Sequence, residues 1–271
     1  MKKAGSVVLM ILLIVVLLAV SVAIFGFKFD WFDQPAVEQG TNDLDENNDE
    51  SPADSNEDNS ARIAEIDAIL SDPFLVLVNV DNGLGADYAL AELVTIQDKS
   101  LDKTAAQQLQ LMLDDAKNAG LDTINIYSAY RNYTKQETNY NNKVSYFLGE
   151  GYSEDRAREL AAEVVNPPGK SEHQTGLATD ICTAEIVNTY GNLNEAFENT
   201  DEFTWLYEHC AEYGFILRYP KDKVEVTGIT FEPWHYRYVG VERAKEIMDL
   251  KVCLEEYIQG LKDEKAKLEQ K

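Results

Sequence analysis

Two short segments hold the residues whose types and spacing best suit metal chemistry. The chain has only three histidines. His173 precedes Asp180 by a short spacing, and His235 follows Glu232 closely. A catalytic zinc takes three protein ligands from His, Asp or Glu and keeps one position open for water. His173, Asp180 and His235 can supply those ligands, and Glu232 can act as the base because the base must not itself be a ligand.

Spacing alone permits a second interpretation of the same residues. A single histidine on a strand is often a hydrogen-bonded structural side chain, and Asp180 can cap a turn. Glu232 and His235 also lie more than fifty residues after Asp180 in the chain. The two interpretations therefore stay open at the level of spacing.

Other catalytic arrangements are absent from the sequence. There is no G-x-S-x-G elbow, no H-E-x-x-H helix and no phosphate-binding glycine loop. His209 lies in a helical stretch without a motif partner, which favours a structural role. Cys182, Cys210 and Cys253 are too widely spaced for a zinc knuckle, and a Cys182–Cys210 disulfide is possible but unsupported.

Several motifs, taken in order, resemble the VanY-type D-alanyl-D-alanine carboxypeptidases, a group of zinc peptidases related to lysostaphin and the hedgehog amino-terminal domain. The resemblance covers roughly Phe74 to Lys251. The family patterns S-x-H-x-x-G-x-A-x-D and E-x-W-H are both intact, and they comprise Ser171, His173, Gly176, Ala178 and Asp180, then Glu232, Trp234 and His235. Further matching pieces are Ser128–Arg131 with Gln136, Tyr213–Pro220, Leu77–Asn79 and Asp87–Tyr88.

The resemblance implies a role for each matching residue. His173, Asp180 and His235 would bind Zn²⁺, Glu232 would move the proton, and Arg131 would bind the substrate. An arginine suits a free terminal carboxylate because its planar fork donates two parallel hydrogen bonds; the alternative for Arg131 is an ordinary surface salt bridge. Ser128, Ser171 and, more weakly, Gln136 are further candidates for binding the same end of the substrate.

The implied function is removal of the terminal D-alanine from a peptidoglycan stem peptide by metal-activated water. Two alternatives stay open. The same chemistry can serve L,D-carboxypeptidase or dipeptidase specificity, and the domain can instead be a non-catalytic zinc module that binds wall peptide, although the presence of Glu232 argues against the latter. A formal net charge of -24 argues against a nucleic-acid partner, since phosphate binding needs a basic surface.

The N-terminal part of the chain predicts a membrane anchor. Residues 7–25 form an apolar run preceded by Lys2 and Lys3, which predicts a transmembrane segment over 1–27 with the rest of the chain outside the cell. Ser21–Ala23 also permits a cleaved signal peptide and hence secretion. Residues 28–59 are strongly acidic and predict a disordered tether.

The remaining chain predicts a single α+β domain over 60–260, with a small, mainly antiparallel sheet packed by helices, and a charged tail over 261–271. Periodicity predicts helices over 60–70, 104–119, 134–148, 203–213 and 241–259, with another beginning at Ser153. Capping boxes are expected at Thr104/Gln107 and Thr134/Glu137. Strands are expected over 123–127, 177–183, 215–219 and 234–239. These elements would have to bring the two clusters together.

Overall fold

A computed structural model describes the backbone of residues 52–270 and the side chains of 58–270. The predicted transmembrane segment over 1–27 and most of the predicted tether lie outside these residues. Within 52–270, no helix combines the length and apolar character needed to cross a membrane.

The centre of the fold is a four-stranded antiparallel sheet with the order β3-β4-β6-β5, in agreement with the α+β prediction. Its strands are β3 (Ile124–Ser128), β4 (Ala178–Thr183), β5 (Phe215–Leu217) and β6 (His235–Tyr238). Every residue of β4 and β6 is buried. Side chains on these two central strands are therefore held from both sides.

A separate hairpin, which the sequence did not indicate, joins β1 (Leu93–Ile96) to β2 (Lys99–Asp102). Its two turn residues, Gln97 and Asp98, both have positive φ, 46° and 64°. This is the backbone of a tight turn usually made by Asn-Gly or Asp-Gly, and neither pair is present here. The turn signal is consequently missing from the sequence.

Nine α-helices surround the sheets in the described part of the chain. They are α1 (Pro52–Leu70), α2 (Lys103–Asn118), α3 (Tyr133–Gly149), α4 (Glu154–Val164), α5 (Ala184–Tyr190), α6 (Asp201–His209), α7 (Val224–Thr227), α8 (Val241–Leu250) and α9 (Leu254–Leu268). Helix α2 packs on the main core through the buried residues Leu109, Met112 and Ala116.

Both predicted capping boxes are wrong. Asp102 caps α2 by accepting hydrogen bonds from the backbone of Thr104 and Ala105, and Asn132 caps α3 by accepting from the backbone of Lys135. Asp and Asn are at least as good as Thr in this position, so the helices begin before the threonines. Ser153 caps α4 as expected.

The helix predicted over 241–259 is also wrong as a single element. Lys251 adopts a left-handed conformation with φ 55°, and the chain restarts as α9 after Cys253. A left-handed residue ends a helix by turning the backbone away from its axis. The helical periodicity continues on both sides of the break, so the sequence pattern predicted one helix.

Helices α1 and α9 pair through an apolar cluster that includes Ile66, Ile258 and Leu261. Arg62 adds hydrogen bonds to Glu264 at 2.8 and 3.0 Å. The expected limits at 60 and 260 thus fall within helices. The charged residues of 261–268 continue α9, because Leu261 provides an apolar contact that a frayed tail would lack.

Helices α3 and α4 form a hairpin with a small core of its own. That core consists of Val144, Ala157 and Ala161, with Tyr140 and Phe147 packed against it. It is separate from the main apolar cluster. The hairpin therefore has far fewer buried contacts than the sheet.

Candidate metal centre

Three antiparallel strands bring the predicted ligands together. Asp180 on β4 is paired with Ser128 on β3 and with His235 on β6. Residues directly opposite each other in an antiparallel sheet project from the same face with their Cβ atoms about 5 Å apart. The sheet register is what joins two segments that are distant in sequence.

His173 reaches the same point from a 3₁₀ turn, Glu172–Thr175, just before β4. Gly176 ends the turn with φ 76°, and a Cβ there would lie 2.9 Å from Leu93 Cδ2. Glycine is needed at this position for both its left-handed backbone and its lack of a side chain. The turn lets His173 and Asp180 converge from one short stretch.

The two histidines present different nitrogens to Asp180. His173 Nδ1 donates to the carbonyl of Ala129 at 2.7 Å, which leaves Nε2 facing Asp180 Oδ2 at 3.2 Å. His235 instead turns Nδ1 toward Asp180 Oδ1 at 3.0 Å. One ligand atom from each residue lies within 4.8 Å of the other two, and all three side chains are buried.

This donor set fits zinc. Two imidazole nitrogens and one carboxylate oxygen are the ligands of many catalytic zinc sites. Burial lowers the pKa of His173 to about 4, assisted by the charge of Arg131, so this ring is neutral and can offer a lone pair at pH 7. Burial would also lower the pKa of His235, but its interactions with Asp180 and Glu172 raise it to about 9, so this ring must release a proton when a metal ion binds. Burial opposes ionisation of Asp180, but its interactions with His173 and His235 outweigh burial and hold its pKa below the usual range.

Glu232 lies beside these three residues and is partly exposed to the groove. One of its carboxylate oxygens is 3.6 Å from His235 Nδ1. Burial raises the pKa of Glu232 to about 7, and the nearby charge of Asp180 acts in the same direction. A carboxylate with a raised pKa is a better proton acceptor near neutral pH.

Arg131 contacts two of the other predicted substrate-binding residues. Its Nη1 donates to Ser128 Oγ at 3.2 Å and its Nη2 donates to Ser171 Oγ at 3.4 Å. Its ion-pair partner is Asp180, at 3.9 Å, rather than a surface carboxylate. Gln136 is almost fully buried, and it donates to the carbonyl of Asn166 at 2.5 Å. All eight predicted site residues therefore occupy one region.

A groove of about 720 Å³ opens above this region. Its lining has two main parts: the metal-centre residues with Trp234 form one side, and α3 with the segment 163–166 forms another. The residues of this second side include Asn139, Asn142, Lys143, Tyr146 and Asn166. The space is large enough for several residues of an extended peptide, and its lining offers amides that can bond to a peptide backbone.

A buried charge cluster behind His235 escaped prediction. Glu172 is fully buried and accepts hydrogen bonds from Arg218 and Arg237, which are also fully buried. Burial alone would raise the pKa of Glu172, but the two arginines hold it well below its usual range. Glu172 and Arg218 lie inside recognised motifs and Arg237 lies two residues after one, yet their burial depends on contacts between separate segments.

His209 and the cysteines lie apart from this centre. His209 Nδ1 lies 2.8 Å from Glu212 Oε1, and its ring packs at a tilt against that of Trp205, with ring centroids 4.7 Å apart. Cys182, Cys210 and Cys253 are buried free thiols, so the possible Cys182–Cys210 disulfide is not formed. Burial raises the pKa of each thiol to about 11 or 12, which makes them poor nucleophiles.

The sequence is similar to known carboxypeptidases. The VanY family, described as D-alanyl-D-alanine carboxypeptidase, matches residues 98–241. A D-alanyl-D-alanine carboxypeptidase of Enterococcus faecalis is 39% identical over 184 residues, which are 68% of this chain and 65% of the relative.

Solved structures of two related peptidases share this fold. A mutant of the vancomycin resistance D,D-pentapeptidase VanY in complex with Zn(II) is 38% identical, with a TM-score of 0.60 over 69% of this chain and 99% of that one. The LD-carboxypeptidase LdcB is also 38% identical, with a TM-score of 0.59 over 70% of this chain and 88% of that one. With the family match, the shared fold and the convergent zinc-type donor set, the chain belongs to the VanY family of D-alanyl-D-alanine carboxypeptidases.

Proposed function

We propose that this protein is a zinc-dependent carboxypeptidase that removes the C-terminal D-alanine from peptidoglycan stem peptides. The observation that carries the proposal is the convergence of His173, Asp180 and His235, with Glu232 beside them and Arg131 in the same groove, 3.9 Å from Asp180. A ligand set alone would suit a structural metal. A free carboxylate base and a carboxylate-binding arginine next to it suit hydrolysis at a chain end.

Each residue would have a defined part in the reaction. His173, Asp180 and His235 would hold the ion, which when bound supplies Lewis acidity toward the scissile carbonyl and the attacking water. Arg131, with Ser128 and Ser171 holding its guanidinium group, would bind the terminal carboxylate. This contact would place the last peptide bond, rather than an internal one, at the metal.

Glu232 would move the proton. Its carboxylate accepts a proton from the attacking water as the oxygen adds to the carbonyl carbon. The same proton then passes to the leaving nitrogen as the C–N bond breaks, which yields the shortened peptide and free D-alanine. The partly exposed position of Glu232 beside His235 suits this exchange.

The direct test uses the full chain in detergent and a synthetic stem pentapeptide ending in D-Ala-D-Ala. We expect the zinc-loaded protein to release alanine, detected by mass spectrometry, and release to stop after chelation and resume when zinc is restored. Release that survives complete metal removal would exclude the zinc mechanism. No release by zinc-loaded protein would favour a wall-peptide binding module instead.

Peptides of altered chirality test the specificity. Because the similar structures include both a D,D-pentapeptidase and an LD-carboxypeptidase, the comparison needs a pentapeptide ending in D-Ala-D-Ala and a tetrapeptide ending in L-Lys-D-Ala. We expect the pentapeptide to be the better substrate. Preferred cleavage of the tetrapeptide would assign L,D-carboxypeptidase activity, and release of intact D-Ala-D-Ala would assign dipeptidase activity.

We also propose that the domain is held outside the cell membrane by the apolar segment at residues 7–25, which lies outside the described residues. The support is the length of this segment and the lysines that precede it. Membrane fractions extracted with alkaline carbonate should retain the protein at its full intact mass. Release of a shortened protein into the medium would instead indicate a cleaved signal peptide.

A further inference from the structure

The buried edge of the His235 ring, away from the groove, faces a cluster of charged side chains formed by Glu172, Arg218 and Arg237. Glu172 Oε1 accepts two hydrogen bonds, from Arg218 Nε at 2.8 Å and from Arg237 Nη1 at 2.7 Å. Its second oxygen, Oε2, has no hydrogen-bond partner among the described residues, and neither does His235 Nε2. These two atoms face each other at 3.6 Å.

Both atoms need a partner because both are buried. An unsatisfied buried polar atom is costly, and a carboxylate oxygen is only an acceptor. A proton on His235 Nε2 is what allows one contact to satisfy both atoms. A small rotation of either side chain would bring them within hydrogen-bonding distance.

A proton on Nε2 has a consequence at the other nitrogen of the ring. Without a cation, Nδ1–H can donate to Asp180 Oδ1 at 3.0 Å. When a cation binds, the ring is neutral and only one nitrogen carries hydrogen, so a proton on Nε2 leaves the lone pair of Nδ1 for the ion. His173 uses the opposite arrangement, since its Nδ1 donates to Ala129 and its Nε2 faces the centre. Each histidine thus has its own partner on the nitrogen that points away from the metal centre.

We propose that Glu172 is a positioning residue that accepts a hydrogen bond from His235 Nε2–H and so keeps Nδ1 of that ring available as a metal ligand. The inference rests on the proposed zinc site and adds a residue that does not touch the metal. Partners of this kind fix the orientation and tautomer of ligating histidines, and their loss typically weakens metal affinity by 10- to 100-fold.

The surrounding cluster holds Glu172 in place for this role. Arg218 makes two hydrogen bonds to Glu255 at the start of α9, at 2.8 and 2.6 Å. Arg237 lies two residues after His235 on β6, so both side chains leave the same face of the strand, and its Nη2 donates to the carbonyls of Phe74 and Val76. Glu172 Oε1 is consequently fixed from two sides, which leaves Oε2 directed at His235.

The test compares Glu172→Gln with Glu255→Gln in the full chain. Both variants neutralise a carboxylate that binds Arg218, but only Glu172 faces His235. If the oxygen of the introduced amide in Glu172→Gln stays with the arginines, its N–H₂ group will point at His235 Nε2 and require that nitrogen to accept. This would place the ring proton on Nδ1, the nitrogen needed by the metal.

We expect competition with a chromophoric chelator to show a zinc dissociation constant 10- to 100-fold higher for Glu172→Gln and changed less than threefold for Glu255→Gln. The visible absorption of the Co(II)-substituted protein, which reports ligand geometry, should change only in the Glu172 variant. Equal zinc affinity and equal Co(II) spectra in the two folded variants would overturn the proposal.

Glu172→Asp covers the case in which Glu172→Gln fails to fold. It keeps the charge for Arg218 and Arg237 but withdraws the carboxylate from His235, so weakened zinc binding by a folded protein is again expected. Wild-type affinity in this variant would also overturn the proposal. Failure of the wild-type protein to bind zinc would instead reject the proposed zinc-dependent function, whatever the behaviour of the Glu172 variants.

Discussion

The two sides of the groove are built in opposite ways. From Glu172 to Thr183, the segment that carries His173 and Asp180, every residue is buried. The α3–α4 hairpin on the other side has a core of only Val144, Ala157 and Ala161. It also exposes large apolar side chains, including Tyr146 at 56%.

This difference matches the two tasks proposed for the groove, which are metal binding and peptide binding. Metal ligands must be held within a fraction of an ångström, which requires packing and hydrogen bonds on all sides. A wall that contacts a peptide chain needs only to offer polar groups and can tolerate local movement. Stability is accordingly expected to be high at the sheet and lower in the hairpin.

The largest effect expected from a single substitution belongs to the chemistry on the rigid side. Glu232→Gln removes the proposed base and keeps the size of the side chain, so kcat should fall by about 10²- to 10⁴-fold, as is typical for general acid–base catalysis. Zinc content should stay at the wild-type level because Glu232 is not a proposed ligand. Steady-state kinetics and metal analysis check both parts.

Glu225→Gln is the matched control for this experiment, since Glu225 is exposed and the change in charge is the same. It should leave kcat unaltered. Full activity in Glu232→Gln would exclude Glu232 as the base, and loss of zinc in that variant would make it a ligand instead.

Cavities in the two cores should differ in their cost. Ile181 is completely buried in β4, so Ile181→Ala should lower the free energy of unfolding by about 2–5 kcal/mol and weaken zinc binding. Val144→Ala removes less apolar volume from the hairpin and should cost about 1.5 kcal/mol. Chemical denaturation with and without zinc measures the free energy of unfolding and the zinc affinity of each variant. An equal loss of zinc affinity in the two variants would contradict the expected difference between the sheet and the hairpin.

Arg131→Lys tests recognition of the terminal carboxylate. Hydrogen bonds to charged groups contribute about 1.5–3 kcal/mol, so loss of the forked contact should lower kcat/KM by roughly 10- to 100-fold. Arg156→Lys, on the exposed surface of α4, is the control and should retain wild-type kinetics. A peptide with an amidated C-terminus should be cleaved equally poorly by wild type and Arg131→Lys. A large remaining difference between them on that peptide would show that Arg131 acts elsewhere.

Hydrogen exchange compares the local stability of the sheet and of the α3–α4 hairpin without any substitution. Backbone amides of α3 and α4 should exchange at least about tenfold faster than those of β4, since local opening of a small separate core costs less than global unfolding. Mass spectrometry of peptic peptides resolves these segments. Equal protection of the hairpin and β4 would show that the two sides are equally stable.

The proximity of the proposed ligands was predictable from the sequence for a physical reason. His173 and Asp180 are close in the chain, and the turn at Gly176 leaves few ways to place them apart. His235 and Glu232 share another short segment. The resemblance to a known family then joined the two segments, which spacing alone could not do because strand pairing determines their contact.

Other features depended on contacts that local sequence does not encode. Glu172, Arg218 and Arg237 come from separate segments, and isolated charged residues usually indicate surface. The β1–β2 hairpin lacks the usual turn residues, and the break at Lys251 interrupts an otherwise helical pattern. In each case, tertiary packing overrides the local preference.

Anomalous X-ray diffraction at the zinc edge, from crystals of the zinc-loaded protein, would locate the metal directly. We expect one strong anomalous peak within bonding distance of His173 Nε2, Asp180 and His235 Nδ1, with Glu232 nearby but not coordinating. A peak elsewhere, or one bonded to Glu232 in place of any of these three residues, would contradict the proposed metal site.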